Sequence, residues 1–254
     1  MNKHSSILWL MIQSSFSKIM ALLAGISAVQ LALFVWAFQQ LSVVEYSLEQ
    51  TLVQGQAARV AAVGFLGVTW LLTRTGNQKG GQIGYTLQRL AVSEREVFWW
   101  QALYNGGCYL ILWVAQVLTM LGLGVLYTKM ADPAMVTSQT ILLACYRSRY
   151  LSSLLPLVRM GRWLRLLVML VGLALSSAHY PFAKRHGKPG NELILMTAWT
   201  VFTFIEYTSP YGTYYSVGAN SLLGGPWFIT SVSVLVITVV LWQVLRRGAD
   251  HDEV

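Results

Sequence analysis

Between Met20 and Phe38 the chain reads "MALLAGISAVQLALFVWAF", with no charged side chain and Gln30 as its one markedly polar interruption. A helix needs about 20 apolar residues to cross the hydrocarbon core of a bilayer. This run therefore decides the solvent in which the rest of the sequence has to be read. The pattern recurs at Ala57–Thr73, Val97–Tyr127, Leu164–Ala178, Glu192–Glu206 and Pro226–Leu245. Composition agrees: 55% of the 254 residues are hydrophobic and only 11% are charged, against roughly a quarter in a soluble domain. The expected fold is an all-α integral membrane protein of about six transmembrane helices, one polytopic domain over residues 1–254. No linker between spans looks like a domain boundary, and no internal repeat is visible.

The formal charge of +8 has a different meaning here from the one it has in a soluble chain. No basic stripe with interleaved aromatics offers a groove or stacking platform, so nucleic acid is not an expected partner. The Lys/Arg excess instead reads as the bias that holds loops on the cytoplasmic side. With the N-terminus inside, the inner segments hold Lys3, Lys18, Arg74, Lys79, Arg89, Arg95, Lys184, Arg185, Lys188, Arg246 and Arg247, the larger share of the 18. The cluster from Arg147 to Arg165 works against that bias. The first apolar run comes too late for a signal peptide and reads as a retained anchor. The stretch Tyr207–Gly225 carries no charge and is rich in Tyr, Gly and Ser, which suits an outward loop at the interface.

Ala134–Leu157, "AMVTSQTILLACYRSRYLSSLLPL", is apolar but interrupted by Arg147 and Arg149. A charge at mid-bilayer is costly. A re-entrant or surface-lying helix is therefore expected there, rather than a seventh span.

The segment before the third span is the most informative. Ile83, Leu87 and Leu90 fall at i, i+4 and i+7, one face of a short helix. Gly80 and Gly81 before it allow a sharp turn. "SERE" from Ser93 is a capping-box pattern, with Glu96 able to reach back to the Ser93 N–H. A new helix is expected to start at Ser93 and run to about Tyr127. Its length, about 50 Å, exceeds the ~30 Å core, so its first turns should project into the cytoplasm.

A short cytoplasmic helix between spans two and three, followed by a charged helix start, resembles the coupling element of ABC exporter permeases of the type-two class. "LQRLAVSERE" and "LLACYRSRYLSSLLPL" resemble permease-like proteins found in Firmicutes gene clusters for such transporters. The resemblance implies a six-helix permease fold in the bacterial plasma membrane with both termini cytoplasmic. It implies two partners, an ABC ATPase subunit and a second permease chain, alike or different. It places the ATPase contact at the coupling helix, Gln82 to Arg95: Leu87, Gln88, Arg89 and Leu90, with Glu94 and Arg95 at the next helix start. The basic segment from Arg147 to Arg165 departs from that class, which does not need it on its outer side.

Other chemistry is sparse. "GNQKGG" from Gly76 lacks the G-x-x-x-x-G-K-[ST] spacing that cradles phosphates, so ATP hydrolysis has to come from a partner. No H-E-x-x-H and no G-x-S-x-G occurs. His4, His179, His186 and His251 have no metal-ligand spacing. His179 and His186 read as loop residues on a solvated face, and Cys108 and Cys145 as small buried hydrophobes. No catalytic residue, cofactor site or metal site is expected in this chain. Glu206, at the end of the fifth span, is the one carboxylate placed to line a pathway. Glu192 opens the same span and suits the positive end of its helix. Trp36, Trp70, Trp99, Trp100, Trp163 and Trp227 fall near span ends as interfacial anchors. Gly64 and Gly67, and Gly122 and Gly124, could allow close helix packing. Two alternatives to a permease stay open: a lipid-handling enzyme or accessory whose Arg147–Arg165 face grips phosphate, and a non-catalytic membrane scaffold or sensor.

Overall fold

The computed structural model describes residues 3–40, 47–76, 94–134, 136–157, 160–185, 191–206 and 226–249. Among them there are helices and no strands. In chain order these are α1 (Lys3–Gln40), α2 (Leu48–Gln54), α3 (Ala57–Gly76), α4 (Glu94–Met130), α5 (Thr140–Arg147), α6 (Arg149–Leu154), α7 (Met160–Arg185), α8 (Asn191–Glu206) and α9 (Pro226–Ala249). The stretches Met11–Gln40, Ala57–Arg74, Arg95–Met130 and Gly161–Lys184 are long and apolar enough to cross a membrane. Four such helices point to a membrane protein. α8 has only 16 residues, and the described apolar stretch of α9, Thr230–Arg246, is shorter than the other four.

α1 shows how the sequence sorts its faces. Its buried residues are Met11, Ser15, Ile19, Leu23, Ile26, Gln30, Phe34 and Ala37. They recur every three or four positions, which draws one stripe down a helix. Trp9, Val29, Leu31 and Trp36 point the other way and are exposed, as side chains that face lipid should be. α3 lies antiparallel on the buried stripe. Two small residues bring the backbones together: a Cβ on Gly64 would sit 2.6 Å from Ile26 Cδ1, and one on Gly67 3.0 Å from Leu22 Cδ2. The close packing expected of this pair is therefore present. Of the other two glycines, Gly124 packs on Ile141 and Gly122 faces open space.

α4 and α7 form a second antiparallel pair, with Phe98 against Phe182 and Trp113 against Trp163, both edge to face. α7 also touches α3, α8 and α9. It is the most enclosed of the four apolar helices, with 67% of its stretch buried against 28% in α1. These contacts define two ends. At one, here the basic end, α1, α4 and α8 begin while α3, α7 and α9 finish. At the other, α1 and α4 finish, α3 and α7 begin, and α2, α5 and α6 pack together.

α4 starts within one residue of the position the capping pattern predicts, and at 37 residues it is about 55 Å long. Its first turn is not a bare projection. Val97 and Phe98 are buried, Val97 with Met11, and Arg95 Nη2 donates to the Leu245 carbonyl of α9 at 3.0 Å.

The Ala134–Leu157 segment folds as two short helices. The chain turns extended at Ser148 (ψ 127°), and Ser148 Oγ accepts from the Leu151 N–H to cap α6. Eight residues in α5 reach only about 12 Å, too little to cross a bilayer. α5 and α6 pack on each other and on α4, and α5 on α2. Arg147, in the last turn of α5, is exposed.

Candidate functional site

Two polar assemblies are built into this apolar bundle. The first runs along α4. Tyr104 Oη shares a 2.6 Å hydrogen bond with Ser15 Oγ of α1, and Thr119 one of 2.9 Å with Ser27. Gln30 Nε2 donates to Gln116 Oε1 at 2.8 Å and to the Ala57 carbonyl at 3.1 Å. Tyr109 Oη pairs with Thr69 Oγ1 of α3 at 2.9 Å. Asn105 Nδ2 donates to Ser177 Oγ of α7 at 2.9 Å. Near the far end, Tyr150 Oη donates to Gln116 Oε1 at 3.2 Å, and Trp113 Nε1 to the Leu154 carbonyl at 3.1 Å. One helix thus bonds α1, α3, α6 and α7. Gln30, Asn105, Tyr109 and Gln116 are each at most 1% exposed. In hydrocarbon an unmade polar bond costs several kcal/mol, so these residues specify which helices meet and in what register.

The second assembly holds ionisable groups and lies at the basic end, where α7, α8 and α9 converge. His179 Nδ1 is 3.7 Å from Glu192 Oε2. Gln243 Nε2 donates to Glu192 Oε1 at 3.1 Å. Phe182 lies beside the imidazole, ring centres 5.9 Å apart. Each helix supplies one member for a local reason. Glu192 is in the first turn of α8, where the positive helix end favours a carboxylate. Gln243 sits one turn before the end of the apolar stretch of α9. His179 precedes Pro181 inside α7, and Pro181 has no N–H to bond the Ser177 carbonyl one turn back.

This corrects the expectation for His179. It is not a loop residue on a solvated face but lies inside α7 and is 1% exposed. The helix continues through Pro181 to Arg185, with Ala178, Phe182 and Ala183 buried beside it. An ionisable pair inside a membrane bundle is costly to keep, and it is a candidate functional site for that reason. At 3.7 Å the imidazole and the carboxylate are within ion-pair range but beyond hydrogen-bond distance. Gln243 fixes the carboxylate by donating its amide N–H to Glu192 Oε1.

The residues singled out from the sequence fall in three places. Leu87, Gln88, Arg89 and Leu90 lie outside the described residues. Glu94 opens α4, and Arg95 beside it reaches α9. Glu206 closes α8, at the other end of that helix from Glu192. Trp36, Trp70 and Trp99 are exposed as anchors should be, at 53%, 55% and 48%, whereas Trp163 is turned against Trp113. The sequence reading missed the His179–Glu192–Gln243 junction. Its members are far apart in the chain, so no local spacing announces them. The one available signal was a histidine two residues before a proline in an otherwise apolar run.

Cys108 and Cys145 are buried free thiols. Burial pushes the Cys145 thiol above its ordinary range, and burial also raises the Tyr150 phenol. Among the described residues no three His, Cys, Asp or Glu side chains group as a metal site would require. No family model, curated protein or solved structure matches this chain.

Proposed function

We propose that this chain is the transmembrane subunit of an ATP-driven exporter, with ATP hydrolysis supplied by a separate ABC ATPase. In this reading six helices, α1, α3, α4, α7, α8 and α9, cross the plasma membrane and both termini face the cytoplasm. Two such chains, alike or different, assemble with two ATPase chains. The segment Gln82–Arg95 docks on the ATPase, with Leu87, Gln88, Arg89, Leu90, Glu94 and Arg95 at the contact.

One observation carries the reading. The start of α4 is tied to the end of α9 by Arg95 and to α7 by Phe98, and α7 and α9 meet α8 at the partly buried His179–Glu192–Gln243 junction. A displacement applied just before α4 would therefore be carried to the His179–Glu192 pair. ATP-driven closure of the ATPase pair would supply that displacement. Rearrangement of the junction would then open a path between α7, α8 and α9, with Glu206 at its far end.

The test is copurification from membranes in mild detergent. An ATPase subunit is expected at near-equal stoichiometry and is lost on Arg89→Glu. Arg95→Ala should reduce the ATPase's response to the membrane subunit more than it weakens binding, because it removes one contact at the edge of the docking segment and also cuts the link to α9. A chain that purifies without an ATPase, under conditions that keep a control transporter intact, sinks the proposal.

A further inference from the structure

Three helices finish at the basic end with the same local arrangement. In α3 the Arg74 guanidinium lies 4.3 Å from the centre of the Trp70 ring. In α7, Lys184 Nζ lies 5.7 Å from the Tyr180 ring, and in α9 the Arg246 guanidinium lies 5.2 Å from the Trp242 ring. Each cation follows its ring by four residues, so ring and charge share one helix face. All three pairs lie in the closing turns of their helices. The three cations are exposed, and Trp70 and Trp242 are 55% and 59% exposed. The Trp70 and Trp242 faces therefore look outward from the bundle, and on α7 the exposed Lys184 stands over a half-buried Tyr180. Among the described residues no carboxylate pairs with Arg74, Lys184 or Arg246.

We propose that these three pairs form a collar that binds the phosphate groups of anionic phospholipids in the leaflet at the basic end. Tryptophan and tyrosine sit at headgroup level because one part of the ring system is apolar and the other polar. A cation stacked on such a ring is held at the same depth, where a lone flexible side chain would sample many positions. The ring covers one face of the cation and leaves its N–H donors turned to the headgroup layer. Guanidinium groups on Arg74 and Arg246 match two phosphate oxygens at once. Three positive charges, with no carboxylate paired to them among the described residues, favour a headgroup of net negative charge over a zwitterionic one, whose own ammonium is repelled. Each such cation near a membrane surface contributes about a fivefold preference. The collar needs only that the apolar helices lie in a bilayer, so it stands or falls separately from the transport reading.

The experiment uses the full chain, partly delipidated and offered phosphatidylglycerol and phosphatidylcholine in equal amounts, with retained lipid counted by native mass spectrometry. Phosphatidylglycerol is expected to be retained preferentially. The triple variant R74Q/K184Q/R246Q should lower that preference by more than about tenfold. A matched triple at the opposite end, K129Q/R147Q/R162Q, should keep it. The single variants R74Q and R246Q, each at an exposed position, should each lose about fivefold, which keeps the test alive if the triple folds poorly. An unchanged preference in the collar variants overturns the proposal. So does an equal loss in the opposite-end triple, which would mean net charge alone, or displacement of the lipid by millimolar inorganic phosphate, which would mean a soluble anion.

Discussion

Glu192 answers to three helices at once. Its backbone opens α8, one oxygen accepts from Gln243 of α9, and the other lies beside His179 of α7. Removing one member of a buried pair is worse than removing both, because the survivor keeps its desolvation cost without its partner. Glu192 is 18% exposed, so part of that cost is relieved by solvent. Glu192→Leu should destabilise the chain by about 1–3 kcal/mol, read as thermal unfolding in detergent. The double variant H179F/E192L should lie closer to the parent than Glu192→Leu does. If the double variant is instead the sum of the two singles, the groups are not coupled. Cys145 supports a second measurement. Burial raises its thiol, so the fold favours the neutral form. The stability from this group is complete below the ordinary thiol pKa and is lost as pH rises through the raised one. In a Cys108→Ser background, alkylation of Cys145 at mildly alkaline pH should be slower than in the unfolded chain, and should accelerate as the pH is raised further. A rate equal to that of the unfolded thiol would contradict this burial.

Among the elements, the α5–α6 pair shows how a segment can be apolar and still not cross. The arginines that interrupt Ala134–Leu157 argued against a span, and the structure breaks the segment between them, at Ser148. What holds it down is less legible in the sequence: Tyr150 on Gln116, and Trp113 on the Leu154 carbonyl. Both bonds join residues more than thirty positions apart. Tyr150→Phe removes one of them and should weaken docking by about 1 kcal/mol. Faster hydrogen exchange or protease cleavage within 140–154, with no change in α4 itself, is the expected readout. The start of α4 was legible because its signal is local, the serine and acidic residues of "SERE". The length of α1 was not. The sequence puts the span at Met20–Phe38, but the helix continues back to Lys3. The polar run "QSSFSK" from Gln13 separates its first apolar residues, Ile7–Ile12, from the long run, and only the four-residue spacing of Met11, Ser15 and Ile19 records that this part packs.

At the scale of the whole molecule, the four long apolar helices followed from hydropathy, whereas the His179–Glu192–Gln243 junction depends on which helices become neighbours. The two ends of the bundle differ in a way that labelling can test. Lys129 and Lys184 lie at opposite ends of α4 and α7. With Lys129→Cys and Lys184→Cys in a background without native cysteines, an impermeant maleimide should reach the two from opposite faces of the membrane, Lys184→Cys from the cytoplasm. Reaction of both from one face would refute this arrangement. The polar bonds along α4 also bear on how the protein is made. Chains are synthesised from the N-terminus, so α1 and α3 leave the ribosome before α4 exists. Gln30 and Thr69 must then wait in or beside the bilayer with their α4 partners still to come. A nascent chain stopped ahead of α4 would therefore hold helices with unmet polar demands, the kind of intermediate that membrane chaperones retain and quality-control proteases remove.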